Sequence, residues 1–199
     1  MWKPGSVKKA SKQARVDIFD SLRNLMAAPG PDPAAVLTEL ATHATAHKWS
    51  LQTILQEEDT VLDSRCAVYW AVAKLGPGAG PDAYACARAV LSAAAPLSAT
   101  AMSEVRAGAL LAADQRAWLA VRPWIVEAAW QDTLLLGEAG QVDQMDVVGS
   151  PDEPDTFLVA FSIPLFRKRM KLKKRVSVDF FAKGQLDRCA IRVSSHLCS

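Results

Sequence analysis

His43 and His47 stand four residues apart, the spacing that lets two imidazoles on one helix face share a metal ion. Ala44, Thr45 and Ala46 lie between them, so the glutamate of a zinc-protease helix is absent. A third ligand would have to come from Cys66 or elsewhere through folding. The pair alone therefore leads to no expected metal site, and the histidines read as polar residues on a solvated or interfacial face.

Thiol and carboxylate chemistry meet a similar limit. Cys66, Cys86, Cys189 and Cys198 are scattered without a paired spacing. With no signal-peptide pattern in view, reduced thiols in a cytoplasmic or nuclear setting are expected. A nucleophilic thiol needs a base and an electropositive neighbourhood, and nothing in the spacing sets one of the three histidines beside a cysteine. Gly76, Gly78 and Gly80 lack the Lys-Ser/Thr that follows a phosphate-cradling loop. Glu57-Glu58-Asp59 and Asp152-Glu153 fall in segments read as loops. No catalytic residue and no cofactor is expected.

The strongest local signal is seven basic residues in nine, Arg167, Lys168, Arg169, Lys171, Lys173, Lys174 and Arg175. Such a run serves nuclear import, or binds an anion carried by nucleic acid, phospholipid or an acidic protein. The same run also suits the solvated outer face of a hairpin, where lysines guard an edge. Read as a strand, it turns Met170 and Leu172 inward and projects Lys171, Lys173 and Arg175 together as a positive stripe. Lys174 takes the inward parity, near an open end or a bulge. Trp49, Trp70, Trp118, Trp124 and Trp130 read mostly as core anchors on apolar helix faces. Trp70, Trp118 and Trp124 are the candidates for a partner surface, because tryptophan is enriched at binding hot spots.

The elements that must position these residues follow from periodicity and punctuation. Val7, Ala10, Ala14, Ile18, Leu22 and Leu25 recur at helical spacing behind Ser6, the expected N-cap, and Pro29-Gly30-Pro31 ends that helix. Asp32-Pro33 starts a second helix, with Leu37, Leu40, Ala41 and Ala44 on its stripe. Ser50 caps a short helix, and Gln56 to Ser64 reads as a loop. A compact helix runs from about Cys66 to Lys74, then Asp82 caps one reaching Ala94. Thr100 opens the next, Asp114 caps another ending before Pro123, and Pro123 opens a last helix bearing Trp124 and Trp130.

Beyond Gly137 the period drops to two. Phe157, Val159, Phe161 and Ile163, then Met170 through Phe180, then Cys189, Ile191 and Val193 alternate with polar or smaller neighbours. Lys183-Gly184-Gln185 reads as a turn. A three-stranded antiparallel meander is expected, four-stranded if Val142 to Val148 joins it, packed on the helices. The expected organisation is a basic amphipathic helix over 1–30, a helical body over 31–137 and a basic β-rich part over 138–199.

Composition agrees with an α+β chain. Half of the 199 residues are hydrophobic, enough for a sizeable core. Residues 1–23 carry six basic and two acidic side chains, residues 24–150 seven and fourteen, residues 151–199 ten and five. Two basic ends flank an acidic middle, which bears on partners more than on fold. The acid-free first sixteen residues have the look of a mitochondrial presequence, but they run directly into a segment carrying Asp17 and Asp20. Ala83 to Met102, the most apolar window, contains Arg88 and Pro96, so no membrane span is expected.

Asp63 to Val72 sits where an ankyrin repeat carries its Gly-x-Thr-Pro-Leu-His-x-Ala signature, and resembles it loosely. Cys66, Ala67, Val68 and Tyr69 replace Thr, Pro, Leu and His, while Ala71 keeps the small residue. A glycine-proline turn and the Tyr84 to Ala94 helix follow as a second repeat helix would. The Thr-Pro turn is missing, and no clean 33-residue period can be traced. Residues 33–199 also resemble a group of uncharacterised proteins from mushroom-forming fungi. Tyr69-Trp-Ala-Val72, Ala95-Pro-Leu97, Ala113-Asp-Gln115 and Ile163-Pro-Leu-Phe-Arg-Lys-Arg-Met170 carry that resemblance, which brings no assigned activity. It implies a degenerate ankyrin-like array of short helices followed by the small β-meander.

The leading functional expectation is a non-enzymatic protein–protein interaction module, since helix arrays present a continuous surface to a protein partner. The rival is binding of nucleic acid or another polyanion through the 167–175 ribbon.

Overall fold

The computed structural model describes residues 4–125, 144–149, 157–173, 175–182 and 185–192. The chain divides into two compact units, Met1–Ile125 and Val126–Ser199.

The first unit is helical. Its elements are α1 (Pro4–Ala27), α2 (Pro33–Ala46), α3 (Leu51–Gln56), a 3-10 turn (Thr60–Leu62), α4 (Ala67–Ala73), α5 (Pro81–Ala94), α6 (Ala99–Ala112) and α7 (Gln115–Ile125). α1 begins two residues before Ser6. It buries Ala14, Ile18, Leu22 and Leu25, with Phe19 and Met26 widening the stripe. This helix packs on α2, α4 and α5.

Capping explains several boundaries. Asp32 accepts from the Ala35 amide at 3.0 Å, and Asp114 accepts from the Ala117 amide at 2.9 Å. The helix expected to open at Thr100 opens at Ala99, behind Ser98, whose hydroxyl accepts from the Ala101 amide at 3.2 Å. α5 starts on Gly80 with Pro81 as its first residue, which moves Asp82 into the first turn. There its carboxylate still complements the helix dipole. Pro123 opens no new helix, because α7 runs through it to Ile125. The backbone bond that proline cannot make falls near the helix end. The continued turn lines up Ala117, Trp118, Val121 and Ile125, all buried. Trp130 and the helix expected around it lie outside the described residues.

α4 is the hub. It is seven residues long, with Ala67, Val68, Tyr69, Ala71 and Val72 all buried, and it packs on α1, α3, α5 and α6. The α4–α6 contact brings backbones together. A methyl added to Gly108 would sit 2.6 Å from the Tyr69 carbonyl oxygen and 3.3 Å from the Ala73 amide nitrogen. Ala101, Val105, Ala109 and Ala112 continue that small-residue face of α6.

α6 ends with Ala113 in the left-handed region at φ 50°, its amide donating to Ala109 O at 3.2 Å. A side chain there costs about 1–2 kcal/mol. Ala113→Gly is therefore expected to stabilise the fold by about 1 kcal/mol after glycine's own chain entropy. A chemical denaturation midpoint that fails to rise would contradict this reading of the cap.

Polar contacts tie the loops down. The Gln56 amide nitrogen donates to Ala94 O at 2.6 Å and Pro96 O at 3.1 Å, while its oxygen accepts from the Ser98 amide at 2.8 Å. Arg15 pairs with Glu57 at 2.6 Å and reaches Asp59 at 3.8 Å. Arg65 pairs with Glu104 of α6 at 2.8 Å and lies over the Tyr69 ring.

The second unit holds β1 (Gln144–Gly149), β2 (Phe157–Ser162), α8 (Phe166–Lys173), β3 (Arg175–Ala182) and β4 (Gln185–Arg192). β1 pairs antiparallel with β2, from Gln144 opposite Ser162 to Gly149 opposite Phe157. β3 pairs antiparallel with β4, from Arg175 opposite Arg192 to Ala182 opposite Gln185. Among the described residues these are two separate two-stranded sheets, where one continuous meander was expected. Lys183 and Gly184 of the expected turn lie outside the described residues.

The segment expected to bridge the two hairpins as a strand is helical instead. Leu165 turns the chain at φ 52°, and the Arg169 amide donates to Leu165 O at 2.9 Å to close the first turn of α8. Between Ile163 and Val176 no β-branched residue occurs, and Arg, Lys, Met and Leu are strong helix formers. Phe166 and Met170 supply an i,i+4 apolar pair that the two-residue alternation concealed.

Candidate basic surface and histidine pair

The helical form of α8 rearranges the basic run. At 100° per residue Arg167, Lys171 and Lys168 fall within one 100° arc, and all three are exposed. Met170, about 60° beyond the Arg167 edge of that arc, is buried at 7% exposure. The stripe expected from Lys171, Lys173 and Arg175 therefore does not form. A two-residue step of about 200° separates Lys171 from Lys173 around the helix. Arg175 already belongs to β3. Arg169 is half-buried, and Lys174 lies outside the described residues.

Arg167 and Lys168 occupy the first turn, the positive end of the helix dipole, where each cation costs a few tenths of a kcal/mol up to about 1. The sequence from Thr156 to Val178 contains no acid. Among the described residues Arg167 and Lys171 belong to no ion pair. Phe166, 37% exposed, stands at the start of the same helix.

The expected partner-surface tryptophans part company. Trp118 is 2% exposed and packed inside the helical unit, so it is a core residue and not a surface anchor. Trp70 is half-buried, its indole N–H donating to Leu62 O at 2.8 Å and its ring under the Lys74 ammonium. Trp124 is half-buried on α7. Among the described residues of this unit the exposed large apolar side chains are instead Leu110 and Leu111 of α6, at 43% and 59%.

Thiols sit where nucleophilic chemistry is disfavoured. Burial pushes the Cys66 thiol above its ordinary value of 9.0 and drives Cys86 up to about 11. Cys189 is half-buried, and Cys198 lies outside the described residues. A neutral thiol is what the folded state holds at both buried positions. For Cys86 the folded value exceeds the unfolded one, so its contribution is complete below pH 9 and declines as pH rises toward 11. Native protein is expected to leave Cys66 and Cys86 unmodified by a maleimide at pH 7.5, with both labelled after denaturation. Unfolding in the alkaline range should start earlier than in a Cys86→Ala variant compared at its own neutral-pH stability. Rapid native labelling at either position would overturn the assignment.

His43 and His47 are brought together. Their ring centroids lie 5.4 Å apart at 66°, and the indole of Trp49 stacks on His47 at 5.0 Å and 24°. The helix end builds this stack. His47 caps α2, Lys48 takes the left-handed conformation at φ 63°, and its amide donates to Thr45 O at 2.9 Å. The Trp49 amide then donates back to Ala44 O at 3.0 Å. This is the doubled closing pattern that normally calls for glycine at the turn. Sequence reading found the histidine pair and missed the stack, because a lysine at the left-handed position gives no warning of it.

Among the described residues no group of three histidine, cysteine or acidic side chains could hold a metal ion, and no helix is long and apolar enough to cross a membrane. The chain matches no family model, no curated protein and no solved structure.

Proposed function

We propose that the protein is a non-enzymatic binding protein that engages a polyanion, nucleic acid in the first instance, through the basic face of α8. The observation that carries this reading is the exposed arc of Arg167, Lys168 and Lys171, set in an acid-free stretch and flanked by the buried Met170. Three cations converging on one side of a helix meet successive phosphates without reading base edges. Affinity then comes from released counterions and falls steeply with salt.

Fluorescence anisotropy of labelled duplex and single-stranded nucleic acid, across a salt series, tests the proposal. Changing Arg167, Lys168 and Lys171 together to Gln is expected to flatten the duplex log–log salt slope by roughly 3. Changing Arg88 and Arg106, exposed on the helical unit, should leave the slope unchanged. Binding that keeps its full slope in the α8 variant would refute the assignment.

A second reading keeps a protein partner, favoured by Leu110 and Leu111 standing side by side and exposed on α6. Salt separates the two. An apolar contact on α6 would survive ionic strengths that strip a phosphate contact from α8.

A further inference from the structure

We infer that His43 and His47 form a two-imidazole chelate for one divalent late transition-metal ion at the C-terminal end of α2. Two imidazoles holding one ion through bonds of about 2.0–2.1 Å place their ring centroids about 4.5–5 Å apart. The observed 5.4 Å needs only a small ring rotation to reach that range. His43 is exposed and His47 half-exposed, so an ion has a path in and keeps water on its remaining positions.

Three features of the chain favour the chelate. His47 is held against Trp49 by the stack, so one ligand ring is already oriented and little side-chain entropy is left to lose. The last turn of a helix carries the negative end of the dipole, which favours a cation there. Glu39 lies one turn before His43 on the same face, adding negative charge, while the exposed Lys48 directly follows His47 in the chain. Imidazole donors select nickel, copper and zinc over calcium or magnesium. Two protein ligands make the site exchangeable, unlike a closed structural centre.

The test is a titration of the full chain with nickel(II) chloride, following both heat and tryptophan emission. One ion per chain is expected, with emission falling because the ion sits beside the ring stacked on Trp49. His43→Gln and His47→Gln should each weaken binding about tenfold or more, since either leaves a single ligand. Both rings lie at the surface, and unchanged thermal unfolding of the two variants confirms that the fold is intact. Trp49→Phe should retain the heat and lose most of the quenching. Unchanged affinity in the histidine variants would overturn the inference and assign the nickel to a thiol or to His196. Quenching that persists in Trp49→Phe would also overturn it, by placing the ion away from the stack.

Discussion

Gly108→Ala is expected to destabilise the helical unit, although replacing a mid-helix glycine with alanine ordinarily gains about 1 kcal/mol. The added methyl would lie 2.6 Å from the carbonyl oxygen of Tyr69 and 3.3 Å from Val72 Cβ. The first of these is backbone of the most buried helix, so relief requires α4 and α6 to move apart. Overpacking of that kind costs about 1–3 kcal/mol and more when backbone must shift. A net loss of about 2 kcal/mol is expected for alanine, and a larger one for Gly108→Val. On a unit of this size that is a fall of roughly 5–10 °C in Tm. A melting temperature that rises instead would show that the α4–α6 approach is looser than the carbonyl position implies.

Trp118→Ala is expected to cost about 3–5 kcal/mol, the range for deleting a large buried aromatic. Trp118 is among the largest fully enclosed side chains, in a stripe with Ala117, Val121 and Ile125. The sign of the result decides between two roles for the residue. A surface anchor could be removed with little effect on unfolding and a large effect on a partner's affinity. A core residue does the reverse, and Trp118→Ala should lower the urea midpoint sharply. Retained stability would return Trp118 to the list of surface candidates.

Much of the helical unit was legible because its punctuation is chemical. Asp32 and Asp114 cap where expected, and Pro29-Gly30-Pro31 separates α1 from α2. Boundaries slipped where two signals competed. Ser98 caps α6 and starts it one residue before Thr100, and Gly80-Pro81 outbid Asp82. Pro123 reads locally as a break, yet the burial of Ile125 holds α7 together across it.

The basic segment was misread for a different reason. Met170 and Leu172 alternate with lysines over too short a window to distinguish a period of 2 from 3.6. Helix propensity and the Phe166–Met170 pair pointed the other way. Composition placed the positive charge, but only the element type decides which cations share a face. That is why Arg167 and Lys168 replaced Lys173 and Arg175 beside Lys171. The Trp49 stack was less accessible still, since it depends on one backbone angle at Lys48.

α4 carries one more implication. At seven residues it spans about 10 Å, well below the length at which a helix persists alone in water. It exists because α1, α3, α5 and α6 enclose it. Linear arrays of repeats can lose an end and keep the remainder, since each unit leans only on its neighbours. Here the most interior segment is also the least self-sufficient, so its amides open only when the whole unit does. A chain built this way cannot shed a helix pair as an independent fragment. Gene truncations or protease cuts within 14–112 would yield unfolded material rather than a smaller domain.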